Sequence, residues 1–544
     1  MKPHTEQAFE DAIENSLLED GGYVKGNNAN YNKQYAVDTH FLFQYLKTSQ
    51  PKQWEKLRGI HNSNIENKVL YRLNQEMEMR GMVDVIRNGF TDNGVKFHMA
   101  VFKPETTLNP ETEKQYNQNI LSVTRQLHYS EKNENSVDMV LFLNGLPVAT
   151  VELKNQFTHQ NSENAKKQFI ENRDNRETLF RFKRGALVHF AVDTDEVYMT
   201  TKIEGKKTFF IPFNKGTEHG GAGNPQNEKG YRTAYLWEEV WQKDSWMDII
   251  GRFIHLQKEE KLIDGKKKKI EKMIFPRYHQ LDAVRRISNN ARQNGVGKNY
   301  LVQHSAGSGK SNTIAWLAYR LFSLHNDQNE NIFHSVVVIT DRRVLDRQLQ
   351  DTIYQFEHRH GIVEKIEKDS HQLRNALIKG NSIIITTLQK FPFILDSIEK
   401  LSEEKNVDVN QTLEKIGKSN YAVIVDEAHS SQGGEASKQM KEILGKKSVE
   451  ANKDSDQENA EDLIRQSMMA RGQQPNMSFF GFTATPKPKT LEVFGETGPD
   501  GLPRPFHLYS MRQAIEEGFI LDVLKNYMTY KTFFKISQQA EDKM

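Results

Sequence analysis

A chain of 544 residues exceeds what one hydrophobic core organises and predicts about two to four domains. Its 74 lysines and arginines are balanced by 72 aspartates and glutamates, a formal net charge of +2. A uniformly basic nucleic-acid-binding field is therefore excluded, and any grip on DNA has to come from local patches. The lack of cysteine excludes disulfide scaffolds, thiolate zinc sites and cysteine nucleophiles, and fits a reducing cytoplasm. No apolar run approaches the roughly 18 residues of a membrane span, and the opening Met1-Lys2-Pro3-His4 lacks the apolar core of a secretory signal. A soluble protein without a membrane partner is expected.

In chain order, Ala8, Phe9, Ile13, Leu17 and Leu18 recur at helical spacing. With Thr5 as N-cap and Gly21-Gly22 as the stop, they predict an opening helix. Short apolar and β-branched runs predict strands at 95–102, 137–143, 148–153, 186–192 and 196–201, so the first half reads as α/β. The glycine-rich stretch 218–230 has no strand before it and no helix after it, and reads as a mobile surface loop. The run Lys266-Lys267-Lys268-Lys269 reads as a solvated linker and marks a domain boundary. Beyond it, apolar runs at 300–303, 335–340, 382–386, 421–425 and 478–482 alternate with helical stretches, the pattern of a doubly wound parallel sheet. Residues 449–477 turn polar and read as a disordered insertion.

The first chemical signal is a hairpin around Asn144-Gly145, whose apolar strands are interrupted by Asp138, Glu152 and Lys154. A two-residue turn would put Asp138 opposite Val151 and turn Glu152 to the other face. A three-residue loop, Asn144-Gly145-Leu146 with Gly145 left-handed, instead pairs Asp138 with Glu152 and puts Lys154 on the same face; this register is expected. Charges on such apolar strands are costly to bury alone, on the order of several kcal/mol each. A Mg²⁺ ion held by Asp138 and Glu152, with the Leu153 carbonyl as a third ligand, offers the compensation. The metal would activate water against a phosphodiester, and Lys154 would stabilise charge developing on the phosphate. A solvated Asp/Glu/Lys ion pair is the alternative.

The second signal runs from Tyr300 to Ser311: a strand, a glycine-containing turn and a helix start. Gly307, Ser308 and Gly309 let backbone N–H groups close around phosphate oxygens, Lys310 reaches the outer phosphates and Ser311 can ligate Mg²⁺. His304 stands where G-x-x-x-x-G-K-S would have its first glycine. Asp426-Glu427-Ala428-His429 follows an apolar strand. There Asp426 can hold Mg²⁺ through water and Glu427 can orient and deprotonate the attacking water; an Asp-Glu pair capping the next helix is the alternative. Upstream, Gln280 can pair with adenine and Tyr278 can stack on it, against a plainer reading with Tyr278 in the core and Gln280 on the surface. Thr483 and Thr485 supply hydroxyls that can connect an ATP site to a DNA track.

Taken together, Gln280, Gly307 to Ser311, Thr340-Asp341-Arg342-Arg343, Thr386-Thr387, Asp426 to His429 and Thr483-Ala484-Thr485 resemble the ordered motifs of superfamily 2 helicases and translocases. The resemblance implies a RecA-like domain, His429 among the ATP-binding residues, and Arg342, Arg343, Thr386 and Thr387 in loops that touch the DNA backbone. Such contacts are sequence-independent and salt-sensitive. Asp138 with Glu152-x-Lys154 resembles the PD-(D/E)xK nuclease fold, whose first helix often adds an acid, here Glu10 or Glu6. A downstream Gln-x-x-x-Tyr of related nucleases corresponds to Gln168, with Asn172 in place of the tyrosine, and Lys166, Lys167, Arg181, Lys183 and Arg184 are candidates for a backbone-binding rim.

Nuclease before motor, with Phe213-Asn214-Lys215-Gly216 and the stretch 509–522, resembles the R (restriction) subunits of type I restriction-modification enzymes. The likeness implies a bacterial or archaeal enzyme with a PD-(D/E)xK nuclease domain at 1–260, a basic linker at 261–270, a RecA-like ATP-binding domain at 271–505 and the start of a second motor lobe at 506–544. It implies ATP-driven translocation of double-stranded DNA coupled to Mg²⁺-dependent cleavage at non-fixed sites. Partner methyltransferase (M) and specificity (S) subunits would assist, with S-adenosylmethionine entering only through the former. No arginine-bearing second lobe follows Asp522, and such arginines contribute on the order of 10³–10⁵ in rate. This chain is therefore expected to bind ATP and translocate poorly. A standalone helicase-nuclease of DNA repair or a type III restriction subunit is the runner-up; the latter would carry its nuclease after the motor.

Overall fold

The computed structural model describes residues 6–61, 63–156, 159–263, 266–340, 349–350, 352–355, 362–366, 370–380, 382–387, 416–426, 476–488, 490–491 and 495–522. The expectations placed on Thr5, Arg342, Arg343, Glu427, His429 and residues 449–475 fall outside the described residues. The opening helix, α1 (Glu6–Glu19), buries Phe9, Ile13 and Leu17 along one face. A seven-stranded mixed sheet follows in chain order: β1 (Tyr23–Lys25), β2 (Leu121–His128), β3 (Ser136–Leu143), β4 (Leu146–Leu153), β5 (Val188–Val192), β6 (Val197–Thr200) and β7 (Ile211–Pro212). The β1/β2 and β4/β5 pairs are parallel. A parallel pair needs a crossover, and α2 (Ser162–Asn172) lies within the one between β4 and β5. The strand expected at 95–102 contracts to Val95–Phe97, half of a small two-stranded ribbon.

The hairpin corrects one expectation and preserves its consequence. Asn144 (φ +49°) and Gly145 (φ +80°) form a two-residue turn closed by Leu143 opposite Leu146, where a three-residue loop was expected. Both central residues sit at positive φ, as a type I′ turn requires. A Cβ on Gly145 would lie 2.3 Å from the Asp38 carbonyl oxygen, so glycine is required there. Further along, Phe142 pairs with Pro147 but Leu141 pairs with Ala149, so Val148 is an extra residue on β4. Proline has no N–H to give to the ladder, which makes 147 a natural place for this bulge. The bulge resets the register to Met139 opposite Val151, which brings Asp138 toward Glu152 as the longer loop would have done.

The lysine run is not a linker. Lys266–Ile274 is a strand, β9, paired antiparallel along its whole length with β8 (His255–Ile263), and Lys267, Lys268 and Lys269 are exposed on it. Periodicity could not show this, because charged side chains occupy both faces of the two-stranded ribbon.

The second sheet is parallel throughout, in the order β12-β13-β11-β14-β15-β10-β16. Its strands are β10 (Tyr300–His304), β11 (Ser335–Thr340), β12 (Val363–Lys365), β13 (Ile383–Thr387), β14 (Tyr421–Asp426), β15 (Met477–Thr483) and β16 (His507–Tyr509). The central strands are buried along nearly their whole length, which is why they read as unbroken apolar runs. β16 was expected in a second lobe; it pairs with β10 at the edge of this sheet, so the sheet continues past 505.

The two sheets share one continuous apolar core. Phe190 and Phe213 of the first half meet Phe275 at ring centroid separations of 5.9 Å each, and the Trp316 indole donates to the Phe253 carbonyl at 2.9 Å. A largely buried ionic cluster ties the halves: Asp248 accepts from Arg320 at 2.6 Å and Arg252 at 2.9 Å, and Glu105 meets Arg252 at 2.9 Å. Burial opposes the Asp248 charge, but Arg320, Arg252 and Arg285 hold its carboxyl well below the usual range. Among the described residues no helix is long and apolar enough to cross a membrane.

Candidate functional site

Two centres emerge, one on each sheet. On the first, Asp138 near the start of β3 and Glu152 near the end of β4 are both buried, at 7% and 0% exposure. Asp138 Oδ2 accepts the Leu153 backbone N–H at 2.8 Å. The Lys154 ammonium lies 3.8 Å from Asp138 Oδ2, donates to the Leu153 carbonyl at 2.8 Å and pairs with Glu6 at 2.9 Å. Burial and the nearby Asp138 push the Glu152 carboxyl well above the usual carboxylate range, against the pull of Arg173 and Lys154. Although burial works against its charge, Asp138 and Glu6 hold the Lys154 ammonium above its ordinary value.

The register therefore gathers Asp138, Glu152 and Lys154, and α1 delivers both upstream acids. Glu6 reaches Lys154; Glu10 accepts from Arg125 at 2.8 Å and from Gln126 at 2.9 Å, and Gln126 turns also toward Asp138 at 3.4 Å. Burial raises the Glu10 carboxyl above its ordinary value, with Asp138 adding to it against Arg125.

Three residues that sequence reasoning missed complete this centre. Arg173, just beyond α2 and 6% exposed, places Nε 2.7 Å and Nη2 2.6 Å from Glu152 Oε1 and donates to the Ser136 carbonyl at 2.8 Å. Arg125 joins Glu10, Asp11 and Glu14 of α1 to β2. Gln126 leaves the β2/β3 ladder at φ +46°, between the pairs Arg125–Met139 and Leu127–Val137, which aims its amide at the acids. Only the position of Arg173 directly after a helix gave a hint, since cations are favoured there.

On the second sheet, Gly307 (φ +73°) and Gly309 (φ +77°) shape the turn between β10 and α4 (Lys310–Phe322). Lys310 and Ser311 open α4, so its N-terminal dipole points into the loop. Because all strands are parallel, this loop and Asp426 at the end of β14 lie at the same carboxyl edge, separated by β15. The helix before it, α3 (Tyr278–Asn294), fastens the loop through its carbonyls. Arg277 donates to Gly307 O at 2.7 Å, His279 Nε2 lies 3.0 Å from Ser308 O, and Gln280 donates to Gly309 O at 3.0 Å.

His304 needs no positive φ at the end of β10, so the missing glycine costs nothing there. Its Nε2 lies 2.9 Å from His507 Nδ1, and His507 Nε2 lies 3.2 Å from Asp282. Burial pushes His304 and His279 well below the ordinary imidazole value.

Other expected residues are placed differently. Gln280 Oε1 accepts the Arg277 N–H at 2.9 Å while its amide group holds the loop, and Tyr278 meets Tyr235 and Phe213 at 5.1 Å and 5.8 Å between centroids. Thr386 and Thr387, expected at DNA, are buried at 0% and 7% exposure. Thr483 is also buried, and Thr485 follows the end of β15, where its N–H reaches Thr483 Oγ1 at 3.3 Å. Gln168 is half-buried on α2 and Asn172 is exposed. The expected basic rim is mostly engaged: Arg184 is buried against Asn74, Lys183 pairs with Glu271 at 2.7 Å, and Arg181 pairs with Glu78. The stretch 218–230 is held through Ala222 N–H to Glu516 at 2.7 Å, on α5 (Met511–Glu516).

The fold and its sites thus define an α/β chain in which a mixed sheet with a buried acid–lysine cluster adjoins a parallel sheet carrying a phosphate-type loop. Residues 4–208 match the family described as type I restriction enzyme R protein N terminus, and residues 279–451 match the SWI2/SNF2 ATPase family. The chain is 24% identical over 432 residues to a type I restriction enzyme endonuclease subunit of Staphylococcus aureus (strain COL), covering 79% of this chain and 38% of that protein. It is also 24% identical over 474 residues to the type I restriction enzyme HindI endonuclease subunit of Haemophilus influenzae, covering 85% and 38%. A solved fragment assigned as the HsdR subunit of a type I restriction enzyme from Vibrio vulnificus is 14% identical and covers 73% of this chain and 56% of that one; its TM-score of 0.26 is too low to bear on the fold. The chain is thus similar to type I restriction enzyme R proteins, and it spans 38% of the length of these curated relatives.

Proposed function

We propose that the first sheet carries a Mg²⁺-dependent DNA-cleaving centre of PD-(D/E)xK type and the second an ATP-binding motor. Together they would serve an R subunit that translocates double-stranded DNA and cuts it at non-fixed sites, in company with M and S subunits. The observation that carries this reading is the convergence of Asp138, Glu152 and Lys154 at one buried point. Among the described residues no group of three or more His, Cys, Asp or Glu side chains is arranged to hold a metal. The donor set that fits is smaller: Asp138, the Leu153 carbonyl and Glu152 Oε2, which is buried without a hydrogen-bond partner. Hard oxygen donors of this kind suit Mg²⁺. When bound, Mg²⁺ would supply Lewis-acid polarisation and an activated water.

The chain's own residues supply the rest. Asp138 is fixed by the Leu153 N–H, and Arg173 holds Glu152 by one oxygen, which leaves the other buried without a hydrogen-bond partner. Lys154 donates toward charge developing on a phosphate oxygen. At the second centre the loop N–H groups and Lys310 would bind the triphosphate, and Ser311 and Asp426 would hold its Mg²⁺. In the full-length chain assembled with its partner subunits, Mg²⁺-dependent nicking should disappear in Lys154→Ala while ATP binding persists. Nicking at the wild-type rate in that variant would refute the cutting centre.

A further inference from the structure

We propose that a basic cavity between two helices of the first half, the foot of the lysine ribbon and Gln355 of the second half is a phosphate-binding site, separate from both centres described above. The helix Ile65–Arg80 turns at Gly81 into the short helix Met82–Asn88. Against their junction and the start of β8 opens a cavity of about 390 Å³, within the range of about 300–1,000 Å³ usual for small-molecule sites. None of its lining residues belongs to the acid–lysine cluster or to the phosphate loop. Gln355 joins the wall from the second half, exchanging hydrogen bonds of 3.3 Å with the Lys258 backbone in both directions.

The lining is cationic. Arg80, Arg87, Lys183 and Lys258 are set against one carboxylate, Asp84, which pairs with Arg80. Glu76 and Glu271 answer Arg80 and Lys183 from outside the lining, at 2.9 Å and 2.7 Å. Arg87 is held differently. Its Nε and Nη2 donate to the Ile250 carbonyl at 3.0 Å and 2.6 Å, and Nη2 also to Ile254 at 2.5 Å. Among the described residues Nη1 makes no hydrogen bond and the guanidinium no ion pair. Those bonds cap the helical turn Ile249–Phe253, but carbonyl dipoles do not balance a full charge. Burial pushes the guanidinium down to about 10 with Asp84 only partly opposing it, so it stays protonated at neutral pH. Buried charges are normally paired, and the guanidinium fork matches the oxygens of a phosphate. Farther out on β9, Lys267, Lys268 and Lys269 are exposed. The phosphate held at Arg87 is therefore either a free anion or one link of a polynucleotide backbone that continues along the ribbon.

Two probes separate these sources: inorganic phosphate, titrated calorimetrically, and a fluorescent double-stranded DNA at fixed salt. Both are added to the full chain carrying Lys310→Ala, which silences the phosphate loop. Lys258→Glu should weaken at least one probe about tenfold, and Asp84→Asn should tighten the same probe about threefold. Asp500→Asn, which breaks a comparable pair with Arg504 outside the cavity, should change neither. Arg87→Ala should weaken the probe as well, but it also strips donors from Ile250 and Ile254, so the variants at 258 and 84 decide the matter. A response confined to inorganic phosphate supports the site and assigns it a free anion. A response of the DNA, with its salt dependence reduced by about one unit of slope, supports the site and assigns it the backbone. Unchanged affinity for both probes in Lys258→Glu would overturn the proposal, as would equal tightening by Asp84→Asn and Asp500→Asn.

Discussion

The two centres are built by opposite means. At Asp138, Glu152 and Lys154, charged side chains on apolar strands are gathered by pairing register and kept by partners from remote elements: Arg173 beyond α2 for Glu152 and Glu6 on α1 for Lys154. At the phosphate loop, backbone conformation does the positioning, through two positive-φ glycines and carbonyls fastened by α3. A site set by register fails when a partner is removed, because a buried charge is stranded. A site set by a local turn fails only when the turn itself is altered.

The largest effect expected from that contrast is in stability. Arg173→Ala should cost about 3–5 kcal/mol in urea unfolding, the usual penalty for stranding one member of a buried ion pair; a cost under about 1 kcal/mol would mean Glu152 is not held by this pair. Next, Lys154→Ala should lower the cleavage rate by about 10²–10³-fold, as for loss of one preorganised donor, without changing ATP affinity, whereas Lys310→Ala should remove ATP binding itself.

The ionic cluster between the halves sharpens the comparison through pH. The Asp248 carboxyl is held below its ordinary value near 3.8, so its contribution is present above that pH and lost as pH falls through the lowered value. Asp248→Asn should therefore flatten the acid limb of a stability–pH curve; an unchanged limb would remove Asp248 from the account. The smallest effect is expected at the loop. A Cβ on Gly309 would meet Gln280 Nε2 at 2.6 Å at a φ of +77°, so Gly309→Ala should cost about 1–2 kcal/mol, read as weaker ATP binding with little change in global unfolding.

Much of this arrangement was readable beforehand, for physical reasons. Buried parallel strands such as β11 and β14 appear as apolar runs because both faces are covered, and charges placed on β3 and β4 stand out against that background. The pairing of Asp138 with Glu152 was expected through the wrong device: a loop length was invoked where Pro147 and a bulge at Val148 set the register. Arg173 and Gln126 were hidden because their roles depend on tertiary approach and on one backbone angle. The lysine run misled because it lies on the exposed outer part of the β8/β9 ribbon, where the alternation carries no apolar face. Gln280 shows the converse, a residue type suited to adenine that the fold uses to fasten its own loop.

The central claim is that Asp138 and Glu152 form one divalent-cation site, and titration of the nucleotide-free chain with Mg²⁺ or Mn²⁺ tests it most directly. Burial and Asp138 raise the Glu152 carboxyl, so protons compete with the cation there and affinity should rise with pH. Binding should vanish in Asp138→Asn and in Glu152→Gln. Cation binding that is independent of pH and equal in the wild type and both variants would contradict the account.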